Sequence, residues 1–216
     1  MNWALLLDPV ALAVVLGGTV AATVLRCGPA SCAVAAAQVA RATRPGFDRD
    51  AVKAGLARQV AAIHRDGPLR AREEASGDAE FDAGNAAMLR ARSIADLLEN
   101  HRSHARERVS LRERTLLVFD TAGDLAPMFG LAGTLLALSQ LPGDGAIEPT
   151  ALLSAIGAAV VSTLYGVLAA HLLFYPVARW LDRRMWGEEA ARAELIAWLT
   201  EQVEPDFAGG LATAGR

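Results

Sequence analysis

Thr134 and Pro127 stand in one long apolar run, residues 116–141, while Ser162, Thr163, His171 and Pro176 stand in another, residues 151–177. A hydroxyl in such a run can donate and accept a hydrogen bond, which suits the wall of a wetted proton path. The same hydroxyl can instead bond to a carbonyl of its own helix, and spacing alone leaves both roles open. Pro127 and Pro176 each remove a backbone donor and can bend a helix, either to serve motion or as a passive kink or end-of-span signal. A proton crossing a membrane is worth about 2.3 kcal/mol per 100 mV, and some group must carry it through the low-dielectric zone. Neither residues 125–141 nor 151–177 hold an Asp or Glu, and only His171 could titrate there near neutral pH. If protons pass, their carrier belongs to another chain.

Other chemistry finds little footing. No catalytic triad, phosphate loop or metal cluster is spelled out, so the expectation is a non-enzyme without metal or cofactor. Cys27 and Cys32 are the only cysteines, and they show no zinc or redox spacing with the four histidines; they read as reduced structural thiols. The formal charge of −3 offers no basic footprint for nucleic acid.

Mean hydropathy is +0.27 although 21% of residues are charged, which requires the two kinds of residue to be segregated. Most of the 21 basic residues fall between positions 26 and 114. The composition predicts an all-α integral membrane protein with three transmembrane helices and a helical cytoplasmic domain between the first and second. Its parts are a first span at residues 1–26, a cytoplasmic helical region at 27–114 and a second span at 115–141. A periplasmic loop at 142–150 leads to a third span at 151–178, then to a cytoplasmic extension and tail at 179–216.

Breaks at Arg44-Pro45-Gly46, Gly67-Pro68 and Ser76-Gly77-Asp78 divide the charged region into three or four helices, and residues 205–216 read as frayed. Asp8 reads as a cap for the first span, with Pro9 in its first turn. Arg26, Arg112, Arg114, Arg179, Arg183 and Arg184 flank one side of the spans, and Asp8, Asp144 and Glu148 the other. That bias places the N-terminus in the periplasm and the C-terminus in the cytoplasm, with lipid around the spans.

Small residues at four-residue intervals let membrane helices approach closely. Ala122, Ala126, Gly130 and Thr134 form such a stripe on the second span, with Gly133 beside it. On the third span Ser154, Ala158, Ser162, Gly166 and Ala170 form another.

The run DTAGDLAPMFGLAGTLLAL, followed by AVVSTLYGVLAAHLLFYPVAR, resembles the paired last two spans of the MotA/TolQ/ExbB proton-channel proteins. The likeness is closest to the MotA branch, whose second span DPVALAVVLGGTVAATVL is also similar to; an extra span before Asp8 would be expected there, and the three-span plan is that of the TolQ/ExbB branch. The resemblance implies a homopentamer in the bacterial inner membrane around a dimer of a single-span MotB/ExbD/TolR-like partner, whose membrane aspartate takes up the proton. By position it implies that Pro127 and Pro176 are the prolines of the pore-lining spans and that Thr134 and Thr163 face the partner's acid, with Ser162 replacing a threonine and Gly130 close by. His171 stands where MotA-like chains tend to have asparagine, and either tunes the exit by protonation or is a neutral hydrogen-bonded histidine. Arg106, Arg108, Arg112 and Glu113 lie where flagellar members meet the rotor but carry no signature of their own, and they read as a solvated helix. The function implied is a motor subunit coupling proton motive force to mechanical work. The alternatives are a non-conducting membrane scaffold or an envelope-transport energiser of the ExbB/TolQ type.

Overall fold

The computed structural model describes residues 8–68, 70–141 and 148–213, with side chains as far as Phe207. Among the described residues the helices follow in the order α1 (Pro9–Cys27), α2 (Pro29–Ala42), α3 (Arg49–Asp66), α4 (Ala79–Ala91), α5 (Ile94–Ser139), α6 (Pro149–Leu168) and α7 (Tyr175–Thr213). A π-helical turn, Ala169–Phe174, joins α6 to α7 without a break. There is no strand among the described residues. Stretches long and apolar enough to cross a membrane occur in Pro9–Cys27, Ile94–Ser139 and Pro149–Phe207. The chain is an all-α, multi-pass membrane protein.

Local chemistry sets the helix ends. The Asp8 carboxylate accepts hydrogen bonds from the N–H groups of Val10 and Ala11 and Pro9 occupies the first turn, so two orphan donors and one missing donor are settled together. Gly28, at φ 83°, ends α1 by donating its N–H to Val24 O, and Pro29 starts α2 at once. Asp48 and Asp78 cap α3 and α4 in the same way as Asp8.

The helices sort into two compact units, one made of Met1–Thr43 and Arg112–Arg183, the other of Arg44–Leu111 and Arg184–Arg216. In the first, α1 packs on α5 and α6. Gly18 lies against the ring of Phe129 with no room for a Cβ. Thr19 and Thr23 are buried, and each turns its hydroxyl back onto α1, to Val15 O at 2.6 Å and Thr19 O at 2.7 Å. Arg112 on α5 pairs with Asp182 on α7 through its Nε at 2.7 Å.

The second unit has an apolar core of Val52, Leu56, Ile63, Phe81, Leu97, Leu195, Leu199 and Val203. Burial of each large aliphatic side chain contributes about 1.5–3 kcal/mol. Beside this core lies a charge cluster. The buried Arg192 guanidinium reaches Asp78 at 2.8 Å, Glu80 at 3.0 Å and Glu188 at 3.2 Å, and stacks 4.3 Å from the Phe47 ring centre. Glu80 also holds His101 at 2.9 Å and Arg108, and Arg108 reaches Glu189 at 2.6 Å.

Two expectations are corrected here. Arg108 and Arg112 are not solvated charges: each is about three-quarters buried in an ion pair, because a long arginine can reach an acid on a distant helix. Residues beyond Pro205 do not fray at once. Helix α7 continues to Thr213, since Leu195, Leu199, Val203 and Phe207 recur on one face and are held in the core.

Candidate functional site

The candidate site is the contact between α5 and α6, and it is built from missing side chains. A Cβ on Gly166 would lie 2.6 Å from Ala126 O and 3.1 Å from Pro127 Cα; one on Gly130 would lie 3.1 Å from Ser162 O. Gly133 would collide with the Ser162 hydroxyl. The two small-residue stripes therefore meet along Ala126, Gly130 and Gly133 on one side and Ser162 and Gly166 on the other. Ala170 is also fully buried, whereas Ala158 lines a cleft of about 380 Å³ with Asp8, Val10, Gly133, Leu136 and Ser154.

The hydroxyls divide by facing. Ser162 is 1% exposed and donates across the contact to Gly130 O at 3.1 Å, so it ties the helices together and stands on no open surface. Thr134 and Thr163 are half-buried; each donates to its own helix, Thr134 to Leu131 O at 2.6 Å and Thr163 to Ala159 O at 3.4 Å. That bond uses the hydroxyl's proton and leaves oxygen lone pairs, so each can still accept a hydrogen bond. Among the described residues neither threonine hydroxyl bonds to the other helix, and both remain partly accessible.

Pro127 sits half-buried within α5 and Pro176 exposed at the start of α7. Pro176 cannot donate to Leu172 O, and its ring crowds that carbonyl. The chain answers with the π-helical turn, in which Tyr175 N–H donates to Ala170 O five residues back. His171 lies in this turn, exposed, with its ring tilted 57° against that of Tyr175 at 5.4 Å.

One contact was not foreseen. The Tyr175 hydroxyl donates to Asp124 Oδ1 at 2.7 Å, joining α7 to α5, and the ring occupies the space a side chain on Gly123 would need, 2.5 Å from the Cβ position. The signal available was Asp124 itself, one of two carboxylates in an apolar run. Among the described residues, no group of three or more His, Cys, Asp or Glu is arranged to hold a metal ion.

Comparison with known proteins places this architecture. "Motility protein A" of Borreliella burgdorferi is 38% identical over 79 residues, covering 37% of this chain and 30% of that protein. "Chemotaxis protein PomA" of Vibrio alginolyticus is 34% identical over 79 residues, with the same coverage. The chain thus matches less than a third of the length of these curated relatives. The flagellar MotAB stator complex of Bacillus subtilis contains a chain of the same fold, at a TM-score of 0.78 and 18% identity over 94% of this chain and 81% of that one. The model of the MotA/TolQ/ExbB proton channel family matches residues 75–194, more than half of the sequence, and the chain belongs to that family.

Proposed function

We propose that this protein is the channel subunit of a proton-driven motor in the bacterial inner membrane, converting proton motive force into mechanical work by transport and not by catalysis. The observation that carries the reading is the α5–α6 pair itself: tightly packed spans with half-buried hydroxyls at Thr134 and Thr163, and no Asp or Glu in residues 125–139 or 149–174. A path so built lowers the barrier for a proton but cannot hold one, so the titrating acid comes from a second, single-span chain. The relatives named for motility and the fold shared with a stator complex support that partnership.

Five copies of this chain surround two of the partner, with the N-terminus periplasmic and the basic ends of the spans cytoplasmic, following the arginine bias. Partner protonation changes its contacts with the Thr134/Thr163 wall and turns the ring against it. The test is proton uptake into vesicles holding both chains. Flux is expected to vanish when the partner's membrane aspartate becomes asparagine, and to fall about tenfold or more in the double variant Thr134→Val, Thr163→Val. Full flux in that double variant would refute the pore role. Absence of flux from the intact pair, with assembly preserved, would leave a non-conducting scaffold.

A further inference from the structure

We propose that Asp124 is a proton station of this chain itself, placed at the arginine-marked end of the path, and that Tyr175 positions it. The inference rests on the proton-channel reading and adds a carboxylate that this reading does not use. Asp124 is exposed and lies on α5 one turn before Pro127, just outside the acid-free stretch. Among the described residues its side-chain partner is the Tyr175 hydroxyl at 2.7 Å, on the continuous helical run that also carries Thr163. The pair therefore spans both walls of the proposed path, at the level where the proton must leave.

Among the described residues no fixed cation lies at hydrogen-bond distance from Asp124. On α5 the nearest ionisable group is Asp120, one turn back. On the third span they are His171 within the π-helical turn, Tyr175 itself and Arg179 one turn beyond it. Arg112 is engaged with Asp182. Helix α1 brings only Arg26 and Cys27, both at its last turn. The carboxylate is thus held by a neutral donor, with no ion pair to it among the described residues.

Uptake has a structural consequence. A hydroxyl bonded to a charged carboxylate is roughly twice as strong a link as one bonded to a neutral acid. Loading Asp124 therefore weakens the tie between α5 and Tyr175, the residue that closes the π-helical turn. Short π-helical turns carry an irregular hydrogen-bond ladder and concentrate at functional positions. Release of the proton to water restores the grip. As the partner's acid gives up its proton through water, one O–H bond breaks there and one forms on Asp124; on release the Asp124 O–H bond breaks and water takes the proton.

The experiment uses the full chain with its partner in vesicles, with proton flux followed while the pH at the Asp124 side is varied. Asp124→Asn is expected to lower flux at least about tenfold and to remove its dependence on the pH of that side, while Asp124→Glu restores both. Tyr175→Phe is expected to keep assembly but to lower flux, since the carboxylate loses the hydroxyl that orients it. The chain has two tyrosines, so the vibrational difference between parent and Tyr175→Phe isolates this hydroxyl, and its bands should shift in Asp124→Asn. If the intact pair conducts and Asp124→Asn conducts equally with an unchanged pH profile, this proposal is overturned and the channel reading stands. If the intact pair conducts nothing, both fall.

Discussion

At Gly166 the two helices leave no space for a methyl group, because the obstacle is backbone: Ala126 O at 2.6 Å and Gly130 Cα at 3.0 Å from the missing Cβ. Gly157, nine residues earlier on α6, has nothing within 4 Å. The same substitution should therefore have opposite signs at the two positions. Gly166→Ala must separate the helices and is expected to cost about 1–3 kcal/mol, whereas Gly157→Ala is expected to gain up to about 1 kcal/mol from helix propensity. Unfolding midpoints of the isolated chain in detergent would decide it, and equal midpoints for both variants would deny that the stripe is a contact. This stripe was readable from spacing, since four-residue intervals of small residues have one geometric meaning in a membrane. What each hydroxyl does was not. Ser162 and Thr163 are neighbours in sequence, and only the rotation of α6 about its axis buries one and leaves the other half-open.

Among the elements, the longest continuous helical run, from Pro149 onward, contains its own defect. Sequence marks Pro176 as a break, and its usual consequence is a kink or an ending. The chain instead widens one turn, Ala169–Phe174, so that Tyr175 N–H reaches five residues back and α7 proceeds. That outcome was hidden because a proline states only which bond is lost, while the packing of Ala169 and Ala170 decides how the loss is absorbed. Pro176→Ala returns a donor to Leu172 O and removes the reason for the wide turn. Everything after the turn then rotates by roughly 100° per residue of register, carrying Tyr175 away from Asp124. Stability and function should part company. The variant is expected to melt no lower than the parent, as alanine is about 3 kcal/mol more favourable than proline inside a helix, yet to lose most of its proton flux. Unchanged flux would mean the turn is a passive accommodation.

Within the second unit, charged residues pair across helices that are distant in sequence. Arg192 and Asp78 are 114 residues apart in sequence, so no local pattern announced that they meet, although the helical character of both segments was plain. Burial pushes the Glu80 carboxyl up, but the hydrogen bond from His101 and the charges of Arg108 and Arg192 outweigh it and hold it below the usual range. Asp78 is likewise held low, its burial outweighed by the hydrogen bond and charge of Arg192. A carboxyl held low in the folded chain contributes its full stabilisation above its ordinary value near about 4, and loses it as pH falls through the lowered value. Acidification from about pH 7 to about pH 5 should therefore leave this contribution intact, with loss only below about pH 4. Arg192→Met keeps the contact with Phe47 and removes the charge. It leaves Asp78, Glu80 and Glu188 with less compensation and is expected to cost about 3–5 kcal/mol. It should also reverse the slope. With Arg192 gone, burial weighs more heavily on Asp78 and favours its protonated form, so the variant gains stability on mild acidification while the parent does not. Unfolding of parent and variant between about pH 7 and about pH 5 reads the two slopes directly, and parallel curves would mean that the guanidinium does not govern these acids.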